Sequence, residues 1–239
     1  IITSNLSSWE TFIAYRYCWI PSVTYLFPTT TMTDADLHSI QTQATGSFLL
    51  KMGFNRKYPR VVCFGPLELG GLTFRDLFTE QGALRIKALM EHIYYHDTET
   101  GQMVMIAIQS LQMEAGTSAH ILTDPTPLLV YIEPCWISAI RDFMATNQLS
   151  LEFTNSWNFR IARDHDVFLM DVFRLSGRWC DSDLRALNAV RLHLQVATLS
   201  DICTANGKTI DTEAFNATPS TTRTSPLNWV RQPLISDHQ

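Results

Sequence analysis

The chain has 239 residues, of which 46% are hydrophobic and 17% charged, with a formal net charge of −5. That share of apolar residues suffices for one large or two small domains and excludes a disordered tail. The negative balance excludes a nucleic-acid module that works through overall charge, so any such contact has to be local.

In chain order, residues 8–19 read as a helix whose Trp9, Phe12, Ile13, Tyr15 and Trp19 form a core-facing side, with Pro21 expected to kink or end it. Thr33 is a good N-cap, Asp34 and Asp36 suit the first turn, and Leu37, Ile40, Ala44, Phe48 and Leu49 follow at helical spacing. Gly53 is the expected stop. Residues 53–74 then form an irregular loop with a specified path, because Gly53, Pro59, Gly65, Pro66, Gly70 and Gly71 punctuate it. Inside it, Val61-Val62-Cys63-Phe64 is a β-prone run.

Further helices are expected over 75–96, 101–114, 134–147, 161–175 and 182–203. Residues 116–131, with Pro125 and Pro127, have little regular structure and are the best candidate for a domain boundary. Leu149, Leu151 and Phe153 alternate with polar residues as a short strand would. Asn206-Gly207 marks a turn, and from Ala217 onward Pro, Ser and Thr dominate. The predicted fold is mainly α: a helical bundle over 1–115, a connection over 116–133, a second helical region over 134–216 and an extended tail over 217–239, with at most a short strand pair.

Chemistry-bearing patterns are sparse. His92 and His96 lie four apart on a predicted helix, but no third ligand accompanies them, and the neighbouring Glu91 precedes the pair. Asp164-His165-Asp166 are consecutive, and consecutive helical residues point in different directions. No phosphate-cradling glycine loop or nucleophile elbow is present. Five scattered cysteines without a Cys-x-x-Cys pair point to neither zinc nor a redox dithiol, and suit an intracellular setting, nuclear or cytoplasmic. No apolar run approaches the ~20 residues a membrane helix needs, so no membrane partner is expected. What remains is a basic cluster: Lys51, Arg56, Lys57 and Arg60, interleaved with Phe54 and Tyr58. Such a cluster suits a phosphate backbone. The alternative is a solvated loop whose aromatic residues pack beneath it.

The order of Trp9 and Tyr15, Ile20-Pro21 with Tyr25, Ile40-Gln41, Pro59-Arg60, Gly65-Pro66, Gly70-Gly71-Leu72 and Asp76-Leu77 resembles the segment just after the polymerase core of LINE-type (non-LTR) retrotransposon reverse transcriptases. Farther on, Thr79-Glu80-Gln81-Gly82, Ala115-Gly116-Thr117-Ser118, Ser156-Trp157-Asn158-Phe159-Arg160, Arg191-Leu192-His193-Leu194-Gln195-Val196 and Pro226-Leu227-Asn228-Trp229 resemble reading frames of protist retroelements such as those of diatoms.

The resemblance implies a thumb and post-thumb region that lies along an RNA/DNA template–primer, with Lys51, Arg56, Lys57, Tyr58 and Arg60 as contacts and the missing polymerase core as partner. The core's Mg2+ and its catalytic aspartates have no counterpart here, since the chain holds no adjacent Asp-Asp pair. The chain begins at Ile1 and reads as a fragment, so no catalytic residue or cofactor is expected in it. A helical protein-interaction module is the other expectation. Basic residues gathered in one groove, with Arg160 and Arg163 joining, favour nucleic acid, whereas an exposed apolar patch favours a protein partner.

Overall fold

The computed structural model describes residues 4–152, 166–204 and 208–211. The chain divides into two units, Ile1–Gly101 and Gln102–Gln239. Within the described residues the regular structure is helical, and pairing of the β type is confined to the isolated bridges Phe168–Thr198 and Cys203–Ile210.

In the first unit, a capping box starts α1 (Ser8–Ala14): the Ser7 hydroxyl accepts from the Glu10 N–H while the Glu10 carboxylate accepts from the Ser7 N–H. The next turn, Tyr15–Trp19, is π-helical, and α2 (Ile20–Thr24) follows directly. Pro21 has no N–H, and its ring crowds the carbonyl four residues back. The Ile20 N–H reaches the Tyr15 carbonyl, five residues back, so the turn before proline is widened and the helical path continues to Thr24.

Helix α3 (Asp34–Lys51) has the expected ends. Thr33 accepts from the Asp36 N–H, and Gly53, at φ +87°, lets the Phe54 N–H reach the Leu49 carbonyl at 2.8 Å.

The Val61–Phe64 run is not a strand. It belongs to α4 (Arg60–Phe64), started where the Val62 and Cys63 N–H groups return to the Pro59 carbonyl. β-Branched residues favour strands only where a sheet offers neighbours to pack against. Val61 faces solvent instead, and the chain that returns beside α4 uses its N–H groups differently. Leu72, Phe74 and Thr73 donate to the carbonyls of Val62, Cys63 and Gly65 at 2.9, 2.8 and 3.0 Å, satisfying the orphan carbonyls of a five-residue helix. Glycine is needed where these backbones meet: a Cβ on Gly71 would lie 2.1 Å from the Gly65 carbonyl oxygen.

Helix α5 (Leu77–Tyr94) is capped by Asp76, and a second, distant residue reinforces its start, as buried Gln41 accepts from the Leu77 N–H at 2.8 Å. One face of α5 carries Leu77, Gln81, Arg85 and Leu89, all buried. Gln81 pairs with both main-chain groups of Met32 at 3.1 and 3.0 Å, and Arg85 donates to the Thr30 carbonyl. The core beside them is aromatic. Tyr15 stacks on Phe74 with centroids 4.2 Å apart and meets Phe48 edge-on at 5.1 Å, while its hydroxyl accepts from the Arg75 N–H at 3.0 Å.

α6 (Glu99–Ala115) opens at the boundary and runs into the second unit, ending at Gly116 with φ +57°. The division thus falls at Gly101–Gln102, and residues 116–133, expected as a connection between domains, lie inside the second unit. They are tied down there: buried Gln112 bonds the main chain of Thr117, Ala119 and Ile121, and the Tyr131 hydroxyl donates to the Ala115 carbonyl at 3.0 Å. α7 (Trp136–Thr146), α8 (Leu169–Ser176) and α9 (Asp181–Leu194) complete the described part.

α8 starts at Leu169, and the part of the expected 161–175 helix before residue 166 lies outside the described residues. α9 stops at Leu194, short of the expected 203, because Gln195 turns left-handed at φ +56°. Leu149, Leu151 and Glu152 are irregular, so the expected strand is not formed over these residues, while Phe153, Asn206-Gly207 and the 217–239 tail lie outside the described residues.

Candidate functional site

The basic cluster sits on a turn that local chemistry holds still. The Asn55 side chain accepts from the Lys57 N–H at 2.8 Å, and its carbonyl accepts from the Tyr58 N–H at 2.9 Å. This presents Arg56 and Lys57 at the surface, with Arg60 exposed at the first position of α4. None of the three is within ion-pair distance of a carboxylate among the described residues.

Two other expected contacts are differently employed. Lys51 is half-buried in the last turn of α3, where its ammonium donates to the Ser4 carbonyl. Tyr58 is half-buried with its ring 4.8 Å from that of Phe54, so the aromatic residues do pack beneath the turn. The exposed cations therefore reduce to Arg56, Lys57 and Arg60, while Arg160 and Arg163, expected to extend the surface, lie outside the described residues.

The other patterns resolve into structure where they are described. His92 is in the last turn of α5 and His96 is exposed just beyond it, and no cluster of three ligating side chains occurs among the described residues. Asp164 and His165 lie outside the described residues, while Asp166 accepts from the main-chain N–H groups of Val167 and Ser200 at 2.9 and 3.2 Å.

What the sequence reading missed is a set of buried arginines held by main-chain carbonyls. Arg85 is bound to Thr30 in the first unit, and in the second Arg141 donates from Nε to Ile121 at 3.1 Å and from Nη2 to Pro127. Arg191 donates to Met113 and Glu114, both at 2.7 Å, and to Asn188 Oδ1. Burial pulls the pKa of all three guanidinium groups below the ordinary arginine value, and the charges of Asp142 and Asp124 on Arg141 and of Glu114 on Arg191 oppose that shift without reversing it. The available signal was their register: Arg85 continues the Leu77–Gln81–Leu89 face, and Arg191 lies between Leu187 and Leu194.

The second unit also holds a cavity of about 800 Å³, walled by the segment 128–134, one face of α7 and one face of α9. It contains both arginine and carboxylate side chains, and no residue proposed from sequence as a contact lines it. No helix among the described residues is long and apolar enough to cross a membrane. No protein-family model matches the chain, and no curated protein or solved structure is significantly similar to it.

Proposed function

We propose that the first unit contacts the sugar–phosphate backbone of an RNA/DNA template–primer, as the thumb-side portion of a retroelement RNA-directed DNA polymerase whose catalytic core lies outside this chain. The observation that carries the reading is the turn itself: Arg56, Lys57 and Arg60 are exposed, without an ion-pair partner among the described residues, on a turn bonded by Asn55, in a chain of net charge −5. Such a patch attracts phosphates by position, without reading bases. Lys51 is tied to the Ser4 carbonyl and is not counted as a contact.

The test replaces Arg56, Lys57 and Arg60 together by Gln and measures affinity for an RNA–DNA hybrid across a salt series. Three lost phosphate contacts lower the slope of log K against log salt by roughly 2–3. A slope equal to that of the unsubstituted chain refutes the assignment. A second reading, a protein-interaction module, is favoured by Trp9, Ile13 and Tyr17, large side chains left in solvent along the first helical run. Under it the triple variant binds as the parent does, and Trp9→Ala with Tyr17→Ala abolishes association with a protein partner instead.

A further inference from the structure

Two hydrogen-bond donors at the cavity in the second unit have no acceptor among the described residues. Arg141 is 3% exposed, and its Nε and Nη2 are taken by the Ile121 and Pro127 carbonyls, whereas Nη1 meets no acceptor among the described residues. Asn188 is 2% exposed, and its Oδ1 accepts from Nε and Nη2 of Arg191 at 3.0 and 2.9 Å, whereas Nδ2 meets none there. Buried polar groups are nearly always paired. Both nitrogens keep some accessible surface, and both residues line the cavity, so the donors open onto it. The walls bring them together by helical spacing: Ser138, Arg141 and Asp142 from α7 face Arg185, Asn188 and Leu192 from α9.

The rim has the opposite character. Glu133 and Asp142 are exposed on it, and Glu114 is held there by the Glu133 N–H, which donates to its Oε1 at 3.0 Å. These three carboxylates outnumber the two arginines of the lining, so a simple anion is opposed. A purely apolar ligand leaves both donors unpaired. The fold itself indicates the acceptor that suits them. Arg141, Arg185 and Arg191 all end on main-chain carbonyls, Arg185 on that of Val130 at 2.9 Å.

We propose that this cavity binds a short extended peptide segment bearing a lysine or arginine. Its carbonyls take the Arg141 Nη1 and Asn188 Nδ2 donors, and its cationic side chain meets Glu114, Glu133 and Asp142. Pockets of ~300–1,000 Å³ bury ligands of this size. The proposal concerns the second unit and does not depend on the duplex contact assigned to the first.

The test uses the full chain and an end-capped Ala-Lys-Ala tripeptide, with binding followed by calorimetry and by amide chemical shifts. The peptide is expected to shift residues of 128–134, α7 and α9. Acetylating its lysine, or combining Glu133→Gln with Asp142→Asn at the exposed rim, is expected to weaken binding about tenfold, one hydrogen-bond-sized increment. Asn188→Asp keeps the acceptor that Arg191 uses and removes the free donor; measured with the lysine-acetylated peptide, which has no cation to answer the added carboxylate, it is expected to weaken binding further. If that variant does not fold, the rim pair decides. Replacing Arg56, Lys57 and Arg60 is expected to leave peptide binding unchanged. No binding at millimolar peptide, or binding indifferent to both lysine acetylation and the rim pair, overturns the proposal.

Discussion

Arg191 is the residue whose loss the second unit should tolerate least. Its Nη2 reaches the Met113 and Glu114 carbonyls, both at 2.7 Å, at the C-terminal end of α6, where helix carbonyls have no partner of their own. Nε and Nη2 also hold Asn188 Oδ1, while the bond from Nη1 to Val196 is longer, at 3.3 Å. Arg191→Met keeps much of the volume and strands three close acceptors. At about 1–3 kcal/mol for each acceptor left unpaired, the loss is roughly 3–9 kcal/mol, toward the lower end because the two carbonyls are only partly buried, and still a large part of the ~5–15 kcal/mol that holds a domain together. Gly116 supplies a partner test. A Cβ there would lie 2.6 Å from Arg191 Cζ, and the backbone is left-handed at φ +57°. Gly116→Ala should therefore cost about 1 kcal/mol for the backbone alone and more while the guanidinium occupies its place. With Met at 191 the steric part disappears, so the two substitutions should couple by about 1–3 kcal/mol. Urea unfolding of both single variants and the double variant, followed by circular dichroism, gives the cycle. An Arg191→Met loss under about 1 kcal/mol, or strict additivity with Gly116→Ala, refutes the reasoning.

Two further outcomes follow from the same contacts. Gly71→Ala places a methyl group 2.1 Å from a main-chain oxygen that cannot rotate away, whereas Gly70→Ala meets nothing within 4 Å and carries only the strain of φ +78°. The first should destabilise the first unit by at least ~2 kcal/mol and the second by about 1 kcal/mol, and equal melting temperatures for the two variants contradict the close approach. Burial pushes the Tyr15 and Tyr131 phenols up to about 12. The folded chain then holds protons that the unfolded chain releases near pH ~10, so their stabilising contribution is complete below that pH and is lost as pH rises through about 12. The tyrosinate absorbance that a Tyr15→Phe/Tyr131→Phe variant lacks should be the part that appears together with unfolding, and that variant should lose less stability over the interval. Ionisation of Tyr15 or Tyr131 near pH ~10 in the folded chain contradicts this.

Much of the helical layout was legible because its signals are local. Thr33 and Gly53 bracket α3 through bonds to residues three to five positions away, and Asp76 starts α5 in the same manner. The loop between them was recognisable from its glycines and prolines. That Gly71 must be glycine is a different kind of fact, since it depends on Gly65 lying against it. Val61–Phe64 was misread because β-branching describes how a residue packs, not what the chain offers it to pack against. At the candidate site, the sequence supplied the density of cations but not their employment. Lys51 looks like its neighbours in one dimension and is tied to Ser4, 47 residues away, in three.

The sequence by itself determined that the chain is mainly helical, where several helices start and stop, and that its positive charge concentrates before and within the irregular loop. Capping, helical periodicity and turn preference act over a few residues, so they are written in order along the chain. Only the tertiary structure decided which polar side chains are buried and what they hold. Arg191 finds its carbonyls 77 and 78 residues away, and Arg85 finds its own 55 away. A buried guanidinium is stable only when distant main chain arrives with acceptors in the right directions, and that is a property of packing.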